Sequence, residues 1–174
     1  MSDASNNTEM RCGFVALIGA PNAGKSTLLN ALVGTKIAIV TPKVQTTRTR
    51  MLGVAMEGQS QIIYIDTPGI FAPKRRLDRA MVQTAWQGAT DADLTLWLVD
   101  AKRGMADEVK QIAKALTEQE RRVTLILTKT DLIKPDKLLP LSAALNDMAP
   151  VEETYMVSAP QGDGVQDLRD YLGR

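Results

Sequence analysis

The sequence predicts a doubly wound α/β domain: a mostly parallel six-stranded sheet with one antiparallel strand and about five helices. Three observations predict it. Short, nearly continuous apolar runs alternate with segments of helical period, as buried parallel strands alternate with their covering helices. A glycine-rich loop with the phosphate-binding spacing directly follows the first run. One pair of runs is separated only by Gly58-Gln59-Ser60, too short a link for a parallel crossover, so that pair is antiparallel.

In chain order, residues 1–10 are polar and aperiodic and read as a flexible tail; the domain runs from 11 to 174. Strands are expected at Phe14–Ile18, Met51–Glu57, Gln61–Ile65, Leu94–Val99, Val123–Leu127 and Thr154–Val157. Helical stripes run through Leu28, Leu29, Leu32 and Val33, then Leu77, Met81 and Ala85. Further stripes follow at Val109, Ile112, Ala113 and Leu116, at Leu138, Leu141, Leu145 and Met148, and at Val165, Leu168 and Leu172. In such sheets ligands bind beyond the carboxyl ends of the strands, so the loops after each strand should carry the chemistry.

Composition removes whole mechanisms. The 174 residues include 21 Lys plus Arg against 20 Asp plus Glu, no His and a single Cys. Without histidine there is no Ser-His-Asp or Cys-His nucleophile and no His-ligated zinc. Cys12 alone forms no internal disulfide, which suits a reducing cytoplasm. A net charge of +1 gives no global field for nucleic acid or membrane, leaving only local patches. No signal peptide, membrane span or lipidation signal is expected, and the protein reads as cytosolic. Trp86 and Trp97 sit in helical and strand patterns and read as core.

The loop Gly19-Ala20-Pro21-Asn22-Ala23-Gly24-Lys25-Ser26 matches the phosphate-binding pattern in full, between a strand and a helix. Its glycines allow a nest of N–H donors, the helix start supplies positive potential, Lys25 meets the β- and γ-phosphates and Ser26 offers an oxygen to Mg²⁺. The spacing arises by chance in about one chain in a hundred of this length, before the strand and helix context is counted. Asp66-Thr67-Pro68-Gly69 follows the Gln61 strand; Asp66 can hold a water of the Mg²⁺ shell and Gly69 can present its N–H to a γ-phosphate. Taken alone it is also an ordinary turn.

Thr128-Lys129-Thr130-Asp131 follows the Val123 strand. A carboxylate there accepts from guanine N1–H and the 2-amino group, whereas adenine leaves it unpaired. In isolation the tetrapeptide is equally a capped strand end. The last strand leads to Ser158-Ala159-Pro160, where the N–H groups of Ser158 and Ala159 are placed to reach guanine O6.

The order of these four elements, each just after a strand, resembles the GTP-binding (G) domain of translation-factor-related P-loop NTPases. The Pro-Asn pair of the phosphate loop, Val44-Gln45-Thr46-Thr47-Arg48-Thr49-Arg50, the Phe14–Gly19 entry and Asp66–Ile70 resemble the Era family of bacterial ribosome-assembly GTPases, over roughly 12–174. In that family an RNA-binding KH domain follows; this sequence stops after its last helix, so an excised G domain is expected.

The resemblance implies a slowly hydrolysing GTP/GDP switch in small ribosomal subunit assembly and 16S rRNA maturation, monomeric, with peripheral membrane contact. It implies nucleotide binding by Asn22, Ala23, Gly24, Lys25, Ser26, Thr27, Asp66, Gly69, Thr128, Lys129, Asp131, Ser158 and Ala159, and Mg²⁺ held through Ser26, Thr47 and Asp66, with Thr46 the alternative to Thr47. Lys25, Thr47, Gly69 and Asn22 take the catalytic roles. Thr128 stands where the family usually has Asn, which predicts weaker tethering of the base loop to the phosphate loop. Ile70 occupies the place of a water-orienting Gln, so K⁺ ligated by Asn22 is expected to assist; Asn22 as a simple loop cap is the competing reading. Lys43, Arg48, Arg50, Lys74, Arg75, Arg76 and Arg79 form either an rRNA surface or a solvated face. A nucleotide-binding module with negligible hydrolysis and a P-loop ATPase or kinase remain alternatives; the latter has no need of Asp131.

Overall fold

The computed structural model describes residues 9–34, 50–66 and 92–174. Its elements are β1 (Arg11–Gly19), α1 (Lys25–Val33), β2 (Arg50–Glu57), β3 (Ser60–Asp66), β4 (Leu94–Asp100), α2 (Asp107–Glu118), β5 (Val123–Thr128), a 3₁₀ turn at Thr130–Leu132, α3 (Pro135–Met148), β6 (Val151–Met156) and α4 (Val165–Leu172). The six strands form one sheet in the order β2-β3-β1-β4-β5-β6. Among the described strands only the β2–β3 hairpin is antiparallel and every other pair is parallel, as the sequence implies. Among the described residues there are four α-helices. The helix expected over Leu77, Met81 and Ala85 lies outside them, as does the tail up to residue 8.

The last strand begins at Val151, three residues before its apolar pattern does. The reason is its position at the sheet edge, where Glu152 and Glu153 are exposed and break the pattern without breaking the pairing to β5.

Both faces of the sheet are covered, and alternation along each strand divides the core. Val15 and Leu17 face α1 and α4, packing with Leu28, Leu32, Val165 and Leu168. Ala16 and Ile18 face α2 and α3 with Trp97, Ile112, Leu116 and Leu145. Helix α2 shows why these stripes form helices. Val109, Ile112, Ala113 and Leu116 are all buried on one face, while Asp107 and Glu108 complement the dipole of its first turn.

Among the described residues, Tyr64 brings an unpaired polar atom into this core, as Trp97 does with its indole Nε1. Tyr64 is fully buried, and its hydroxyl has no hydrogen-bond partner among the described residues. Burial, reinforced by Glu57 and offset by Arg169, raises the phenol above its ordinary range. A raised folded-state value means that the neutral phenol contributes its stability fully below about pH 10, and that this share is lost as the pH rises further. Tyr64→Phe should therefore stabilise the domain by about 1 kcal/mol, because an unsatisfied hydroxyl leaves the core. It should also flatten the alkaline limb of a denaturation series; equal or lower stability than wild type would contradict the assignment.

The strand register sets the site. Leu17 pairs with Asp66, Gly19 with Leu98 and Asp100 with Thr128. The ends of β1, β3, β4, β5 and β6 thus meet at one edge, and the phosphate loop and the loops after β5 and β6 leave from it.

Candidate guanine-nucleotide site

The phosphate loop is built by close approach and by left-handed backbone. At Gly19 a Cβ would stand 2.8 Å from the Leu98 carbonyl oxygen, so only glycine lets β1 run this close to β4 before the loop begins. The Ala23 N–H donates to the Ala20 carbonyl at 3.1 Å and closes a turn. Asn22 (φ 64°) and Gly24 (φ 96°) adopt left-handed conformations that wind the chain into the start of α1. Ser26 and Thr27 are exposed on the first turn, where a helix has unpaired N–H groups and positive potential. Lys25 folds back over the loop, its Nζ donating to the Gly19 carbonyl at 3.2 Å.

Across the edge, the β5 loop grips this one. The Thr128 hydroxyl donates to the Ala23 carbonyl at 2.6 Å and lies 3.3 Å from the Val99 carbonyl. Lys129, left-handed at φ 56°, donates from Nζ to the Asn22 carbonyl at 2.8 Å and to Asp100 Oδ2 at 2.8 Å. The tether between base loop and phosphate loop therefore has two arms, of which threonine supplies one. A hydroxyl has a single hydrogen for two nearby carbonyls, whereas an asparagine amide would have two. Thr128→Asn should bind GDP about 2- to 10-fold more tightly, the worth of one additional net hydrogen bond. Unchanged or weaker binding in a titration with fluorescent GDP would refute that reading.

Gly24, Thr27, Leu28, Thr128, Lys129, Asp131, Leu132, Val157, Ala159 and Pro160 line a cavity of about 290 Å³ beside the phosphate loop. Its size and mostly apolar wall suit a planar base, and Asp131 is its one carboxylate among the described residues. Asp131 is aimed by the buried Ser158, whose hydroxyl donates to Asp131 Oδ1 at 2.9 Å. One expectation needs correction here. The Ser158 N–H donates to the Asp163 carbonyl at 3.0 Å, in an isolated bridge between the two residues, and is not directed to a ligand. Ser158 acts on the site through its side chain, and the N–H of Ala159 is left as the donor beside the cavity.

Thr46, Thr47, Gly69, Ile70 and the basic residues Lys43, Arg48, Lys74, Arg75, Arg76 and Arg79 lie outside the described residues, and Arg50 opens β2. Asp66 ends β3 beside β1, two residues before the phosphate loop in register. No group of three or more His, Cys, Asp or Glu is arranged to hold a metal among the described residues. Sequence reasoning missed Asp100. It is buried at the end of β4, with Oδ1 accepting the Lys102 N–H at 2.9 Å while Oδ2 meets Lys129. An acid just after an apolar strand, the signal that picked out Asp66, was also present there.

A family profile described as 50S ribosome-binding GTPase matches residues 14–129, from β1 through the start of the base motif. The chain belongs to that family. A protein named GTPase Era from Bradyrhizobium sp. (strain BTAi1) is 57% identical over 97% of this chain and 55% of its own length. Aquifex aeolicus Era bound to GDP and AlF4⁻ superposes with a TM-score of 0.76 at 37% identity, covering 94% of this chain and 56% of that one. Era in complex with MgGDPNP and nucleotides 1506–1542 of 16S ribosomal RNA gives 0.78 at 38% identity, with the same coverage of 94% and 56%. The Era resemblance read from the switch and loop residues is thus borne out, as is the six-stranded G-domain fold. This GTPase-family chain spans about half the length of the curated relatives it matches.

Proposed function

We propose that this G domain binds GTP and GDP, hydrolyses GTP slowly and serves as the switch of a protein acting on the small ribosomal subunit. The observation that carries the reading is the cavity with Asp131 at one end and the phosphate loop at the other, locked together by Thr128 and Lys129. Such a site fixes a guanine and a phosphate chain at a set separation. Era structures with GDP·AlF4⁻, MgGDPNP and 16S rRNA support extending nucleotide, metal and RNA to this chain. The same reading includes a cytoplasmic monomer with peripheral membrane contact; among the described residues no helix is long and apolar enough to cross a membrane.

The donor set fits Mg²⁺: an exposed hydroxyl at the start of α1 and a carboxylate residue closing the neighbouring strand are hard oxygen ligands. Ser26 and Asp66, with Thr47 from the first switch, would hold it, and it would offset charge on the β- and γ-phosphates. Lys25 adds a second positive charge, and the N–H groups of Ser26 and Thr27 orient the phosphates from the helix end. Asn22 fits a role with K⁺. Its backbone carbonyl is taken by Lys129 while the residue stays exposed at the lip of the loop, so the side-chain oxygen remains to face a cation. Turnover should accordingly be at least about 10-fold faster in K⁺ than in Na⁺, a conservative floor beneath the roughly 10²–10³-fold that one removed electrostatic group is worth. Asn22→Ala should erase that difference; equal rates in both salts would remove K⁺ from the mechanism.

The deciding test is competition of GTP, GDP and ATP for a fluorescent guanine nucleotide, with Mg²⁺ and K⁺ present. Displacement by GTP and GDP but not by ATP supports the reading. Equal displacement by ATP would reduce Thr128–Asp131 to a strand-end turn and favour an ATPase.

A further inference from the structure

We propose that Asp100 is a positioning residue for nucleotide retention: it holds the Lys129 ammonium against the phosphate loop and thereby sets the platform under the base. The inference rests on the guanine-nucleotide reading and deepens it. Asp100 closes β4 and is 7% exposed, and its two carboxylate oxygens have separate tasks. Oδ1 accepts the N–H groups of Lys102 and Arg103 at 2.9 and 3.4 Å, which fixes the turn after β4. Oδ2 lies 2.8 Å from Lys129 Nζ. The same Nζ reaches the Asn22 carbonyl of the phosphate loop at 2.8 Å.

The ammonium is therefore shared between a carboxylate on β4 and a carbonyl of the loop; Lys129 also lines the base cavity, and with its ammonium held elsewhere its stem is left for that wall. A charged partner matters because Lys129 itself sits in a left-handed conformation, φ 56°, that a non-glycine residue keeps only when its contacts hold it there. Remove the charge at residue 100 and the ammonium has only a neutral carbonyl to oppose release into water. The stem then leaves the base, and the Asn22 carbonyl loses its donor. Neither effect touches the guanine edge, which Asp131 reads. Asp100 should therefore govern how long a nucleotide stays and not which base is chosen.

Asp100→Asn separates this from a purely structural role. Its amide oxygen still accepts from the turn, so the melting temperature should stay at the wild-type value, while its NH₂ is turned toward Lys129. Release of fluorescent GDP, followed by stopped flow, should be about tenfold faster, and the ratio of GDP to IDP affinity should not change. In a Lys129→Met background the same substitution should add nothing further. Asp100→Ser, which keeps a turn acceptor without the charge, must follow the same pattern and serves if the asparagine variant does not fold. Wild-type release rates in the Asp100 variants, or an equal acceleration with and without Lys129, would overturn the proposal. Failure of the wild-type protein to hold fluorescent GDP would instead overturn the nucleotide reading beneath it.

Discussion

Asp131→Ala should collapse the discrimination between GDP and ADP from several orders of magnitude to within about tenfold, because a site built to pair a substrate's N–H groups can reject an analogue lacking them by 10⁴ or more. Among the described residues Asp131 is the sole carboxylate of the base cavity, and the Ser158 hydroxyl fixes it there. With guanine, both oxygens face donors. With adenine, N1 presents a lone pair, and the carboxylate loses water without gaining a partner. The alanine variant removes both the attraction and the penalty, so GDP should weaken while ADP holds or gains. Competition against a fluorescent guanine nucleotide reads the ratio directly. Asp131 is exposed, but its loss leaves the buried Ser158 hydroxyl unpaired, so stability should fall by about 1 kcal/mol and the ratio is to be read on folded protein. A ratio that survives the substitution would show that guanine is read elsewhere.

Trp97→Ala should cost about 3–5 kcal/mol, a large part of what a domain of this size has in reserve. Trp97 is 0% exposed in the middle of β4, the strand between β1 and β5, and packs in the core shared with α2 and α3. Removing the indole opens a cavity that a sheet paired on both sides cannot close by relaxing. Leu139→Ala is the control: a leucine 71% exposed on α3 should change stability by less than about 0.5 kcal/mol. Urea denaturation with unchanged m-values measures both. A Trp97 variant within 1 kcal/mol of wild type would contradict the packing of this core.

Most of the fold was legible because buried parallel strands leave little freedom in sequence. Leu94–Val99 and Val123–Leu127 are apolar but for the buried Thr95 and Thr124, since both of their faces are covered. Legibility failed at the edge: β6 has solvent on one flank, so Glu152 and Glu153 are compatible with it and its start was hidden. In the site, residues picked out by type and spacing fall where the motifs place them, Lys25 over the phosphate loop and Asp131 in the cavity beside it. What sequence could not supply was the pairing across distance. That Ser158 turns its N–H to Asp163 and its hydroxyl to Asp131 depends on how the loop after β6 folds back. Asp100 escaped notice because its partner Lys129 lies 29 residues on and had a role of its own.

The two bonds that close the site have a consequence for synthesis. Thr128 reaches back 105 residues to Ala23, and Lys129 reaches back 107 to Asn22. Contacts of such sequence separation form only after the intervening chain exists and its loop-closure entropy has been overcome. A nascent chain carries its complete phosphate-loop motif early, yet lacks the residues that hold the loop's carbonyls until β5 and the turn after it have left the ribosome. A nucleotide bound as proposed would not guide the first half of folding; it would stabilise the domain by mass action only once most of it has been made. On the guanine-nucleotide reading proposed above, the cell's nucleotide pool would act on the finished domain as a late ratchet, rewarding completion and leaving interrupted chains without that protection.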